Sequence, residues 1–192
     1  HYPSLDFLTI DMFALQKEEE LTRLEVLASL QVSNKIIVVT SAMALMQKVM
    51  PVHDFTRYLR IIAAGDQLDR DEFCTQLVEQ GYVRESLVQE KGSFSVRGNI
   101  LDIFPSSETH PLRLEMYGDE IESIRTFDAS SQRSTGTSAA FMLSPASEVM
   151  VNPSTSELSV RNIRRRCDEL SLSREIRNRL VDTLKDGLAN SI

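Results

Sequence analysis

Residues 81–128 read GYVRESLVQEKGSFSVRGNILDIFPSSETHPLRLEMYGDEIESIRTFD, and this stretch decides the fold. Phe94 and Val96 alternate with Ser93, Ser95 and Arg97, and Leu112, Leu114 and Met116 alternate with Arg113, Glu115 and Tyr117. A period of two marks strands with one face on a core and the other toward water or a partner. Lys91-Gly92 and Gly118-Asp119 each fit a two-residue hairpin loop, where glycine supplies the positive φ. The pattern predicts a run of short antiparallel strands.

Just upstream, Asp69 followed by Glu72 is a capping-box-like helix start. The helix it opens places Phe73, Leu77 and Val78 on one face, and Gly81 is a good C-terminal stop. Tyr58–Ala64 is a further strand candidate. Residues 1–52 read as α/β. Leu21, Leu24, Leu27, Ala28 and Leu30 form a helical stripe behind the charged run Lys17–Glu20. Lys35–Thr40 (KIIVVT) has the β-branched apolar character of a strand buried on both faces. Ser41 caps a helix carrying Met43, Met46, Gln47 and Val49, which Pro51 ends. One buried strand makes no sheet, so this segment calls for partners outside the chain.

Downstream, residues 129–140 (ASSQRSTGTSAA) predict a polar loop, and residues 154–189 return to helix. Val160, Ile163, Cys167 and Leu170 form one stripe; Ile176, Leu180, Leu184 and Leu188 form another. The architecture expected is α+β. An α/β domain made of residues 1–52 and a helical return at 144–192 is interrupted by a mostly antiparallel insert at 53–143, with one or two helices.

The chain has 192 residues and 42% hydrophobic content, enough for one large domain or two small ones. Its net charge of -7 argues against autonomous DNA binding, which usually shows a basic face. Cys74 and Cys167 stand apart, outside any CxxC pair, and read as reduced thiols. His1, His53 and His110 lack metal-ligand spacing. No apolar run reaches the ~20 residues of a membrane span, and no signal-peptide pattern opens the chain. The opening at His1 reads as the start of an excised fragment.

An ordered set of pieces carries a family resemblance: TSAMALMQKVMP, DQLDRDEFCTQLVEQGY, FSVRGNILDIFP, RLEMYGDEIESIRTFD, SSQRS and LSPASE. The set resembles the N-terminal UvrB-homology region of bacterial transcription-repair coupling factors. That region includes the UvrA-interaction module which these factors share with the excision-repair subunit UvrB. The resemblance is dense over residues 81–128 and extends from about residue 3 to residue 150. UvrB-like proteins carry a tyrosine-rich hairpin in their first motor domain; residues 1–35 hold only Tyr2, which favours the coupling factors.

The resemblance implies a degenerate motor-like domain around a docking module. The chain has no GxxxxGK[ST] phosphate loop, so the fragment is expected to be non-catalytic and to hold no cofactor. The full-length protein is expected to be an ATP- and Mg²⁺-dependent DNA translocase in the bacterial cytoplasm. Its partners would be UvrA, RNA polymerase and double-stranded DNA, with no membrane. A fragment of a UvrB-type DNA-processing ATPase, and a purely structural motor subdomain, are the alternatives.

Arg84 and Arg97 lie where the UvrB module contacts UvrA, and a guanidinium suits bidentate recognition of carboxylates. A third arginine of that module is replaced by Ser95. The expected UvrA-facing set is Arg84, Ser95, Arg97, Phe104, Arg113 and Glu115. Phe104, before Pro105, reads either as core or as an exposed aromatic anchor. Arg113 and Glu115 either extend the docking face or form ordinary cross-strand pairs, the role expected of Arg125. Asp119, Glu120 and Glu122 read as a solvated turn rather than paired catalytic carboxylates. Arginines 161, 164, 165, 166, 174, 177 and 179 form a basic concentration that meets a partner or nucleic acid, or else a salt-bridged face with Asp168, Glu169, Glu175, Asp182 and Asp186.

Overall fold

The computed structural model describes residues 1–5, 13–33, 35–150 and 153–189. They divide into two compact units, His1–Val149 and Met150–Ile192. The fold class is mixed α+β, with helices beside a mostly antiparallel sheet.

The first unit opens with helix α1 (Phe13–Val32), whose Leu21, Leu24 and Ala28 face the core at helical spacing. Two short helices follow. In α2 (Ala42–Met46), the Ser41 side chain accepts from the Ala44 amide at 3.2 Å. The helix stops before Val49, and Pro51 starts α3 (Val52–Tyr58) rather than merely ending its predecessor. Tyr58 therefore belongs to a helix, and the predicted strand shortens to β1 (Arg60–Ala63). Helix α4 (Arg70–Glu79) is capped as expected, Asp69 accepting from the Glu72 amide at 2.8 Å.

Then come β2 (Val83–Arg84), β3 (Ser93–Arg97), β4 (Ile100–Ile103), β5 (Leu112–Tyr117), β6 (Glu120–Phe127), β7 (Ser134–Ser138) and β8 (Ala140–Leu143). Strands β2 to β7 form one sheet in chain order, and β1 pairs antiparallel with β8 in a second, two-stranded sheet. The turn at Gly118-Asp119 joins β5 to β6 as predicted. Lys91-Gly92 does not make a hairpin. It leads into β3, which runs parallel to β2, so the connection is an excursion over residues 85–92. The tight turn not foreseen is Gly98-Asn99, between β3 and β4. Half of the predicted 129–140 loop is β7, an edge strand paired with β6.

One face of the large sheet is the core. Phe94, Ile103 and Leu112 form one row across three strands; Val96, Leu101, Leu114 and Ile124 form the next. Phe73 and Leu77 of α4, the α1 stripe, and Phe55, Ile62, Phe141 and Leu143 complete the same cluster. Each fully buried leucine or phenylalanine contributes about 1.5–3 kcal/mol, against at most ~1 kcal/mol for an exposed ion pair such as Arg57–Asp54. Apolar packing therefore holds this unit. Tyr82 is buried and donates its hydroxyl to the Ser144 carbonyl at 2.7 Å, tying the end of α4 to the stretch after β8.

A polar knot fastens α1 to both ends of the unit. Arg23 is fully buried. Its Nε and Nη2 donate to the Glu148 carboxylate, its Nη1 to the Pro3 carbonyl (3.0 Å) and to Gln47 Oε1 (2.9 Å). Its guanidinium lies 4.5 Å from the Tyr2 ring centroid.

The strand predicted at 35–40 is absent. Only a parallel bridge between Tyr2 and Thr40 forms, and Ile37 is 91% exposed. With no neighbouring strand on its other side among the described residues, the apolar run has nothing to pack against.

The second unit is a helical hairpin, α5 (Pro153–Glu169) and α6 (Arg174–Ala189). Cys167 and Val181 are its buried contacts. Ile176 and Leu180 of the predicted stripe are exposed, and the Leu188 side chain lies outside the described residues. Both cysteines are free. Among the described residues no helix is long and apolar enough to cross a membrane, and no cluster of three metal-ligating side chains occurs.

Candidate functional site

The face of the large sheet opposite the core carries the candidate site. Register puts Ser95, Asp102, Arg113 and Arg125 in one row across β3 to β6, with Glu115 and Ser123 opposite one another in the next. Period-two geometry then brings Arg97, two residues past Ser95, onto the same face.

Asp102 is the centre of this face. Its side chain is 1% exposed. Arg113 grips it bidentately, Nε to Oδ1 at 2.7 Å and Nη2 to Oδ2 at 2.9 Å. Arg97 adds a third donor, Nη2 to Oδ2 at 2.6 Å. A buried carboxylate is tolerated only when paired and hydrogen-bonded, and two planar guanidiniums supply both. The Asp102 hydrogen bond raises the Arg113 pKa further, which keeps it charged. Arg113 also stacks 4.6 Å from the Phe127 ring centroid and donates through Nη1 to the Gln132 carbonyl at 3.3 Å.

Val88, Phe104 and Phe127 form a small second cluster, separate from the main core. Gln132 reaches back to the Val88 carbonyl at 3.0 Å and holds the 85–92 excursion against the turn at 128–132. Phe127 and Gln132 are also the residues that Arg113 touches, which links these segments to the polar face.

The sequence-predicted residues separate accordingly. Arg97 is on the face with its side chain 47% exposed. Arg84 is exposed on edge strand β2, but in register with Phe94, which places it on the helix-covered side rather than beside Arg97. It lies close enough to Cys74 of α4 to oppose, in part, the upward shift that burial imposes on that thiol. Ser95 is 1% exposed, so its side chain does not reach the surface, and its hydroxyl lacks a partner among the described residues. Phe104 is 9% exposed and belongs to the second cluster, which corrects the exposed-anchor alternative: its ring packs with Val88 and Phe127. Arg113 is mostly buried by its clamp on Asp102. Glu115 accepts from Ser123 Oγ at 2.7 Å and pairs with Arg125 at 3.3 Å, an ordinary cross-strand arrangement. The acids at 119, 120 and 122 sit exposed around the β5–β6 turn. In the helical hairpin, Arg165 and Arg166 pair with Glu169, and Arg177 pairs with Asp168.

Sequence reasoning passed over Asp102. The available signal was a lone acid inside ILDIF, whose strand period sets it beside Ser95 and Arg113.

Residues 61–149 match the family model described as UvrB interaction domain. The chain is 37% identical over 150 residues to the transcription-repair-coupling factor of Myxococcus xanthus, covering 78% of this chain and 12% of that protein. It is 32% identical over 152 residues to the factor of Bacillus subtilis and 34% over 152 residues to that of Escherichia coli strain K12, in each case 79% of this chain and 13% of the relative. The chain thus spans about an eighth of the length of the curated relatives it matches. Residues 61–149 are thus similar to a UvrB interaction domain, and the chain is similar to one stretch of the transcription-repair-coupling factors.

Proposed function

We propose that this chain is a docking module for UvrA, and that in the longer protein it brings nucleotide excision repair to a stalled RNA polymerase. One observation carries the reading. The stretch that matches the UvrB interaction domain presents a half-exposed arginine, Arg97, on a polar sheet face, and a second exposed arginine, Arg84, on the sheet's edge strand, turned to its other side. Charge-assisted contacts of this kind favour an acidic partner surface and set association rate and register more than raw affinity. On this reading ATP with Mg²⁺, double-stranded DNA and RNA polymerase are engaged by other regions of the longer protein, in the bacterial cytoplasm.

The test is calorimetric titration of the chain with UvrA of the same organism at two salt concentrations. One-to-one binding that weakens with salt is expected. The variant carrying Arg84→Glu and Arg97→Gln together is expected to abolish binding while keeping the fold. Glutamine is chosen at 97 because a glutamate there would set a second carboxylate against Asp102. Unchanged affinity in the double variant sinks the reading.

A further inference from the structure

Resting on the docking reading, we infer that Asp102 is a positioning residue: it holds the Arg97 guanidinium so that its free donors face outward for a carboxylate of the partner. Asp102 is too deeply buried to touch a partner itself. Among the described residues every polar contact to its side chain comes from an arginine, three hydrogen bonds in all. Ser95, opposite it in register, contributes none.

The charges do not cancel. Two guanidiniums and one carboxylate leave one positive charge over. Arg113 is nearly enclosed and has donated to Asp102 and Gln132 and stacked on Phe127, so the surplus emerges at Arg97. Arg97 spends only Nη2 on Asp102; among the described residues its Nε and Nη1 donate to no protein group. A planar guanidinium pinned at one nitrogen cannot swing freely, and its remaining donors keep a fixed direction. Ordering that a free arginine would undergo on binding is done in advance, which is how preorganisation raises affinity. The ligand this fits is a carboxylate, because the fork geometry matches it and the local charge calls for one negative group.

Two measurements test this. The first is nitrogen NMR of the arginine side chains in the wild-type chain. Restricted rotation about the Arg97 Nε–Cζ bond is expected, with Arg84 as the freely rotating reference. In the Asp102→Asn variant Arg97 should average as Arg84 does. The second is a double-mutant cycle on UvrA affinity. D102N is expected to weaken binding about three- to tenfold, and to have no further effect in the R97Q background. An Arg97 that rotates as freely as Arg84 in the wild type overturns the inference whether or not D102N folds. An equal loss from D102N in both backgrounds also overturns it, since Asp102 would then act on the fold alone. A restrained Arg97 in a wild-type chain that does not bind UvrA overturns the docking reading, and with it the use assigned to the restraint.

Discussion

Replacing Arg113 with alanine would leave the Asp102 carboxylate with one hydrogen-bond donor instead of three, at a position water does not reach. Breaking a buried pair from one side typically costs about 3–5 kcal/mol, and the Arg97 contact that remains sets the expectation at the low end of that range, about 3 kcal/mol. Arg113→Ala should lower unfolding stability by that amount in urea titration, and Asp102→Leu added to it should restore most of the loss. If the single variant costs less than about 1 kcal/mol, the clamp is an ordinary surface pair. This residue-level chemistry was only partly legible. Arg97 announces itself as a charged residue at a strand end, and its exposure follows. Asp102 does not, since Arg113, which grips it, comes from another strand and is itself held by Phe127 and Gln132 from further along the chain. Phe104 is no exposed anchor because it packs with Val88 and Phe127.

Among the elements, those whose cause is local were readable and those whose cause is a distant partner were not. The Asp69 cap, the α4 face and the β5–β6 hairpin each rest on residues within a few positions of one another. The parallel pairing of β2 with β3 does not, because parallel strands need a longer excursion between them and Lys91-Gly92 carries hairpin chemistry without a hairpin. Strand β7 (STGTS) shows no apolar alternation since nearly all its side chains are exposed; backbone bonds to β6 define it. Two glycines separate steric from conformational demands. Gly81 has φ +84, and a Cβ there would stand 2.4 Å from Ser147 Cβ and 3.0 Å from its amide nitrogen. Gly98 has φ +59 and open space around it. Gly98→Ala should cost only the left-handed penalty, about 1–2 kcal/mol. Gly81→Ala should cost clearly more and disturb the Tyr82–Ser144 contact. Thermal unfolding of the two variants checks this; equal losses would mean that the 144–148 segment yields without resistance.

For the molecule as a whole, α+β character was legible in the switch of period from 3.6 to 2 and back, and the division of the described chain after Val149 was not. Composition also spoke of a buried strand at 35–40, yet Ile37, Val39, Leu45 and Met46 are all exposed. The sequence pattern there is suited to burial that the described residues do not provide. Surface substitutions cost little when nothing is packed on them. Ile37→Lys with Leu45→Lys should therefore change unfolding stability in urea titration by no more than about 0.5 kcal/mol. A large destabilisation would mean these side chains are packed after all. The Arg23 knot has a different bearing, a mechanical one. It joins α1 to Glu148, one residue before the first unit ends, and to Pro3 and Gln47 near its start. Tension on the chain beyond Val149 enters at Glu148 and passes into α1 through a buried ion pair, bypassing the hydrogen bonds of the six-stranded sheet. A pull on the chain at Val149 would therefore load α1 before it loads the strands that carry the polar face.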